Sequence, residues 1–125
     1  MCGRLRRMPR KESMPTPFYS TDEALMMVAP STPMRVAAVG MAMQLGLRPI
    51  VATRETMFQV AASSRPLVVV VEFDPEIDRA GLMDMVVSVG AQIVEVGLTD
   101  TTEELIRRIE VAVKAARLLR ARERG

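Results

Sequence analysis

Four short runs of apolar residues recur along the chain and predict the strands of a single sheet. They are Ala24–Ala29, Arg48–Ala52, Pro66–Phe73 and Ala91–Leu98. Within the third run, the five residues Leu67–Val71 are all apolar and show no alternation. A strand of this kind is buried on both faces, as in the centre of a parallel sheet. Gln92 and Glu95 place polar side chains in the fourth run, which is typical of an edge strand.

The segments between these runs carry the start and stop signals of helices. Ser31 and Thr32 offer hydroxyl groups as N-caps, and Pro33 suits the first turn of a helix. This first helix is predicted to end at Gly46, since glycine favours the position after a helix. Thr53 is predicted to cap a second helix.

Two further helices are predicted in the last third of the chain. Asp74, as a cap, and Pro75, at the first helical position, predict the start of the third helix. Thr101 and Glu104 form an S/T-x-x-E capping box at the start of the fourth. This fourth helix, residues 102–124, would be roughly 33 Å long at 1.5 Å per residue, much longer than a short strand.

The predicted order of elements is βαβαβαβα. It favours a three-layer α/β fold with a four-stranded parallel sheet of order 2-1-3-4, a long C-terminal helix and right-handed crossovers. The chain has 125 residues, which fits one domain. We expect residues 1–20 to form a disordered basic tail, because prolines and early charges dominate there, and residues 21–125 to form the single domain.

One apolar stripe of the last helix allows two interpretations. Its members repeat at alternating spacings of four and three residues: Leu105, Ile109, Ala112, Ala116 and Leu119. This spacing is typical of helix packing. Either the stripe lies on the sheet, or its distal half projects and forms an interface with another chain. The second interpretation makes these five residues candidate interface residues of a homo-oligomer.

The composition excludes several kinds of chemistry. The chain has no histidine, and Cys2 is its single cysteine. Zinc sites and Ser-His or Cys-His catalysis are therefore not expected, and an intrachain disulfide is impossible. We predict no catalytic residue, no metal site and no cofactor. No apolar run approaches the ~18 residues of a membrane span, so we expect no membrane association and take the reducing cytoplasm as the default location.

Charge is distributed unevenly along the chain. Residues 72–104 contain nine acidic side chains and one arginine, whereas residues 1–12 and 107–125 are strongly basic. A dipolar chain of this kind can associate with itself or with a charged protein partner. The Arg-rich termini also permit contact with nucleic acid, but no aromatic side chains accompany them to stack on bases.

Candidate ligand-binding residues lie where the central strands end. In open parallel sheets, ligands bind at the carboxyl ends of the strands, where the strand order reverses. Ser31 and Thr32 would present a helix N-terminus to a phosphate there, although N-capping alone explains both hydroxyls. Glu72 and Asp74 would offer oxygen ligands to Mg²⁺, although solvated acidic side chains explain them equally. Thr99 follows the neighbouring strand.

Three segments give the chain a resemblance to response-regulator receiver domains, which have a flavodoxin-like fold. They are VAPSTP at 28–33, PIVAT at 49–53 and SSRPLVVVVEFDPEID at 63–78. In that register Glu72 occupies the position of the phosphorylated aspartate. The Mg²⁺-binding acidic pair of the family falls at Ala29 and Pro30, and its Thr or Ser falls near Gly97 or Thr99. The family's lysine has no counterpart. The resemblance implies a degenerate receiver-like domain that is not phosphorylated and serves as a protein-interaction module.

These observations lead to two main functional hypotheses, ahead of an enzyme that uses Glu72 and Asp74 with Mg²⁺ and of nucleic-acid binding through the Arg-rich ends. The first is a non-catalytic protein-interaction or regulatory module that self-associates or docks a protein partner. The alternative is a domain that binds a small ligand, a phosphate or a nucleotide, at the carboxyl ends of strands 1 and 3. Its candidate ligand-binding residues are Ser31, Thr32, Glu72, Asp74 and Thr99.

Overall fold

The computed structural model of the chain describes residues 23–28, 31–72, 74–97 and 100–124. The predicted tail, residues 1–20, lies outside these ranges, and so does Thr99.

The sheet has the predicted topology. All paired strands are parallel and their order is β2-β1-β3-β4, with β1 and β3 in the centre and β4 at an edge. The elements are β1 Ala24–Val28, α1 Thr32–Gln44, β2 Arg48–Ala52, α2 Met57–Ser64, β3 Val68–Glu72, α3 Arg79–Ser88, β4 Gln92–Val96 and α4 Thr102–Arg124. The three-layer α/β fold with a long last helix is thereby confirmed.

The central strands are buried on both faces, which explains why their sequence does not alternate. Leu25 and Met27 of β1 belong to a core that α1 and α4 cover. Met26 and Val28, on the opposite face, belong to a second core under α2 and α3. In β3 the valines divide between the two cores in the same way. Successive side chains of a strand point to opposite faces, so each face needs its own layer of helices.

The third helix begins one turn later than predicted. Its N-cap is Asp78, whose Oδ1 accepts a hydrogen bond from the N–H of Gly81 at 3.0 Å. Asp74 instead closes a turn, because its Oδ1 accepts the N–H of Glu76 at 2.9 Å. Asp74 and Asp78 are equally suitable as N-cap residues, so the local sequence does not distinguish between them. Ile77 decides between them, since this turn lets its side chain bury in the core under α2 and α3.

The second helix also starts later than predicted. Thr56, and not Thr53, precedes its first residue. The two threonines bind each other instead: the N–H of Thr53 donates to Oγ1 of Thr56 at 3.0 Å, and the N–H of Thr56 donates to Oγ1 of Thr53 at 3.2 Å. The hydroxyl of Thr53 is thus used within a turn that connects β2 to α2.

The last helix runs far beyond the strands that it covers. A strand of five residues spans about 16 Å, whereas the 23 residues of α4 span about 34 Å. Helix α4 starts at the carboxyl edge of the sheet and ends beyond its amino edge. There Nη2 of Arg117 donates to Oε1 of Glu23 at 2.8 Å and to the carbonyl oxygen of Leu45 at 2.9 Å.

A second arginine of α4 forms hydrogen bonds at the same amino edge of the sheet. Nη2 of Arg120 lies 2.8 Å from the carbonyl oxygen of Pro66, 3.1 Å from that of Val89 and 3.2 Å from that of Arg65. These carbonyl groups belong to the loops that lead into β3 and β4. The C-terminal turns of α4 therefore clamp the loops at the amino edge of the sheet.

Candidate functional site

The carboxyl edge of the sheet brings Ser31 and Glu72 together, as the topology predicts. The backbone N–H of Ser31, before α1, donates to Oε2 of Glu72, at the end of β3, at 3.1 Å. The carboxylate therefore lies at the N-terminus of α1, where the helix dipole favours negative charge. This is the place at which a phosphate bound by that helix would lie.

The hydroxyl group of Ser31 does not cap α1, in contrast to the expectation. Ser31 occupies the N-cap position with extended backbone, but its side chain makes no capping hydrogen bond. An N-cap side chain bonds to the N–H of the second or third helical residue. The second residue is Pro33, which has no N–H. Thr32 is the first helical residue, and its side chain is exposed.

Asp74 lies beside an arginine that the sequence did not single out. Nη1 of Arg54 is 3.5 Å from Oδ2 of Asp74 and also forms a close ion pair with Glu76. The hydrogen bond that Arg54 donates to Glu76, together with the negative charges of Glu76 and Asp74, raises the pKa of the Arg54 guanidinium above its ordinary value. One permanently charged cation thus already pairs with both carboxylates and offsets part of their negative charge. Among the residues that the structure describes, no three His, Cys, Asp or Glu side chains group as metal ligands.

Asp100 and Arg108 form another polar cluster at the end of β4. Oδ2 of Asp100 accepts the N–H of Gly97 at 2.6 Å and lies 3.0 Å from Nη1 of Arg108. The same Nη1 donates to the carbonyl oxygen of Glu95, at 2.9 Å. Arg108 thereby links the start of α4 to the backbone of the edge strand. The candidate residue Thr99 lies next to this cluster in sequence but outside the part of the chain that the structure describes.

Four of the five predicted interface residues lie in the chain's own core. Leu105, Ile109, Ala112 and Ala116 pack with α1 and the sheet. Their packing is that of the first interpretation, in which the stripe lies on the sheet. Of the five, only Leu119 is largely exposed, with 42% of its surface open to solvent.

The open edge of β4 and the flank of α4 form a groove that the sequence did not reveal. Its volume is about 380 Å³. The lining comprises β4 residues 92–95 with Arg107, Arg108, Val111, Ala112 and Ala115. The N–H of Gln92 bonds to the carbonyl of Leu67 in the lead-in to β3. Because a parallel strand turns alternate residues to alternate sides, Ile93 and Glu95 direct their backbone groups towards this groove.

Two large apolar side chains protrude from the same flank of α4, and one of them, Val111, lines the groove. Val111 and Leu118 are each 64% exposed. They are seven residues apart and therefore lie on the same face of the helix, with Ala115 between them. Their i, i+4, i+7 spacing is visible in the sequence, but the spacing does not show which face of the helix meets the sheet.

Comparisons with protein-family models, with curated proteins and with solved structures find no match for this chain. No helix in the described ranges is both long enough and apolar enough to cross a bilayer.

Proposed function

We propose that this chain is a non-catalytic protein-interaction module that docks a protein through the outer flank of α4 and the open edge of β4. The observation that carries the proposal is the groove beside α4, which the exposed Val111 lines, with the exposed Leu118 on the same face of the helix. Aligned apolar side chains beside an unpaired strand edge are typical of surfaces that another protein covers.

The polar residues at the carboxyl edge favour this proposal over ligand binding. Glu72 accepts a backbone N–H at the start of α1, and Arg54 is paired with Asp74 and Glu76. A phosphate ligand would have to displace the Glu72 carboxylate, and a cation would have to compete with a guanidinium group. Each exchange costs the protein an interaction that it already has.

The proposed family and location are compatible with an interaction module. A receiver-like domain with Glu72 in place of the acceptor aspartate, and without the acidic pair, would act through its surfaces. Cys2 is the only cysteine, which suits a reducing compartment, and we propose the cytoplasm.

Native mass spectrometry of the chain isolated from its source tests the proposal. We expect the wild-type chain in a stoichiometric complex, with itself or with another protein. The Val111→Asp/Leu118→Asp variant should be monomeric and free. Val87→Asp is the matched control, because Val87 is 74% exposed on α3, in the opposite helical layer. A wild-type chain that is always alone and monomeric, as the variant is, would contradict the proposal.

The alternative function has its own test. Inorganic phosphate at constant ionic strength should leave the thermal midpoint of the wild-type chain unchanged, because Glu72 occupies the place of the anion. Glu72→Ala should gain stabilisation by phosphate, since the N-terminus of α1 is then open. A phosphate-dependent rise in the wild-type midpoint would instead favour the ligand-binding hypothesis.

A further inference from the structure

A second stripe of regularly spaced residues follows the outer flank of α4. Its members are Glu104, Arg108, Val111, Ala115, Leu118 and Arg122. We call this set the outer stripe. The spacings alternate between four and three residues, which is the pattern of a helix that packs along another helix. The outer stripe is distinct from the buried stripe, because Val111, Leu118, Arg108 and Arg122 are all exposed.

The two ends of the outer stripe carry opposite charges, and its middle is apolar. Glu104 lies in the first turn of α4 and Arg122 in the last, with Val111, Ala115 and Leu118 between them. If a second copy of this helix lies alongside in the same direction, like charges oppose each other at both ends. If it lies in the opposite direction, every Glu104 opposes an Arg122.

We propose that two copies of this chain pair through their outer stripes, with the two α4 helices antiparallel about a two-fold axis level with Val113. The inference rests on the proposed function and names the partner as a second copy. In this register Val111 faces Ala115 of the partner subunit and Arg108 faces Leu118 of the partner subunit. Each surface is thus complementary to itself, as a two-fold interface requires.

The groove gives the second helix a place to pack. Ala112 and Ala115 have small side chains, so that the flank of α4 is recessed next to the edge of β4. In the antiparallel register, Val111 of the partner subunit lies against Ala115 and can fill that recess. Arg108 holds the carbonyl oxygen of Glu95, which obstructs strand addition at this point of the edge. Its aliphatic stem remains available to cover an apolar side chain. These features favour a partner helix over a partner strand.

The distribution of charge along α4 supports the same orientation. Its first turn carries Glu103 and Glu104, just after Asp100, and its last turns carry Arg117, Arg120 and Arg122 beside the single acidic residue Glu123. Antiparallel pairing brings the acidic start of each helix next to the basic end of the other. The attraction is screened by salt, so added salt should weaken the dimer.

Sedimentation of the purified full chain tests the pairing. We expect a concentration-dependent dimer at roughly 100 μM, because one helix pair buries less area than a standard interface. Arg122→Glu places two carboxylates together at each end and should raise the dissociation constant at least about tenfold, given two exposed pairs. An unchanged dissociation constant would overturn the proposal.

A variant that changes the charge of Glu104 must take into account that this residue also caps α4. Oε1 of Glu104 accepts the N–H of Thr101, and the N–H of Glu104 donates to Oγ1 of Thr101. Glu104→Gln keeps this capping box and removes the charge, so it should weaken the dimer while lowering the thermal midpoint of the monomer only slightly, through the helix dipole. The Glu104→Arg and Arg122→Glu variants should each dimerise poorly alone and form a heterodimer when mixed. Failure of the mixture to associate, with both variants folded, would overturn the proposal.

Cross-linking in a Cys2→Ser background tests the orientation. In the antiparallel register the two copies of residue 118 lie about 15 Å apart along the helices, since ten positions separate them. A disulfide needs Cα atoms within about 7 Å. Leu118→Cys should therefore not cross-link with itself, whereas a mixture of Val111→Cys and Ala115→Cys chains should cross-link. The reverse result would show a parallel pair and refute the inference.

Failure of this inference differs from failure of the proposed function. Suppose that the purified chain stays monomeric but Val111→Asp/Leu118→Asp removes a different protein from its native complex. The proposal that the partner is a second copy is then wrong, and the proposal that this surface docks a protein remains supported. If a dimer forms and that variant leaves it intact, both proposals fail.

Discussion

Replacing Arg120 with methionine removes the guanidinium group that clamps the amino edge of the sheet. Three carbonyl oxygens, of Arg65, Pro66 and Val89, lie within 3.2 Å of its Nη2 atom. Methionine keeps most of the aliphatic stem, so the change removes hydrogen bonds more than packing. The three carbonyl groups would then depend on water.

The expected loss of stability follows from the number of N–H hydrogens that Nη2 of Arg120 can donate. Nη2 carries two N–H groups, so three acceptors share two hydrogen bonds. A hydrogen bond from a charged donor contributes about 1.5 kcal/mol or more to stability. Arg120 is half-buried, so water replaces part of the interaction, and we expect Arg120→Met to lower the free energy of unfolding by about 2 kcal/mol. For a domain of this size the thermal midpoint should fall by roughly 8–10 °C.

Urea unfolding at one low protein concentration measures this difference and keeps self-association out of the comparison. Lys114→Met is the control, because Lys114 is exposed on the same helix and its loss should change the free energy by less than about 0.5 kcal/mol. If Arg120→Met and Lys114→Met unfold at the same urea concentration, the clamp does not stabilise the fold and the reasoning is wrong.

Three other changes have clear expected outcomes. Ile109→Ala, at a side chain with 0% exposure, should cost about 3–4 kcal/mol by chemical denaturation, whereas Val87→Ala on the surface should be near neutral. Gly81→Ala should destabilise by about 0.5–1 kcal/mol despite the better helix propensity of alanine, because the added Cβ would collide with the capping carboxylate of Asp78; a gain in thermal midpoint would contradict this. The pKa of Arg54 is raised in the folded protein. Its contribution to the free energy of unfolding is therefore present below the ordinary pKa of arginine and is lost only above it. The difference in the free energy of unfolding between wild type and Arg54→Met should be equal at about pH 7 and pH 10, and a difference that changes between these two pH values would refute the assignment.

The strands and their order could be predicted because their signal is local and strong. The unbroken valines of β3 require burial on both sides, and this alone places the strand in the centre. The polar residues Gln92 and Glu95 correctly indicated an edge. The start of α3 was wrong because Asp74 and Asp78 give the same local signal, and the packing of Ile77 chooses between them.

The candidate site was harder to predict because its contacts join distant parts of the chain. Ser31 and Glu72 are 41 residues apart, and Arg54 reaches Glu76 across 22 residues. No local pattern shows that a carboxylate would occupy the N-terminus of α1. Helix α4 carries two stripes of similar spacing, one beginning at Glu104 and one at Leu105. Only the position of the sheet decides which stripe is buried.

The pairing of Arg117 with Glu23 has a consequence for how the protein folds during translation. The two residues are 94 positions apart, and α4 completes the core that α1 begins. In a nascent chain that has emerged only as far as β4, α1 can cover Leu25 and Met27, but the side chains that α4 covers, among them Val94 and Val96, are open to solvent. The sheet can reach its final stability only when translation has delivered the last helix, and until then this apolar face is open to chaperones.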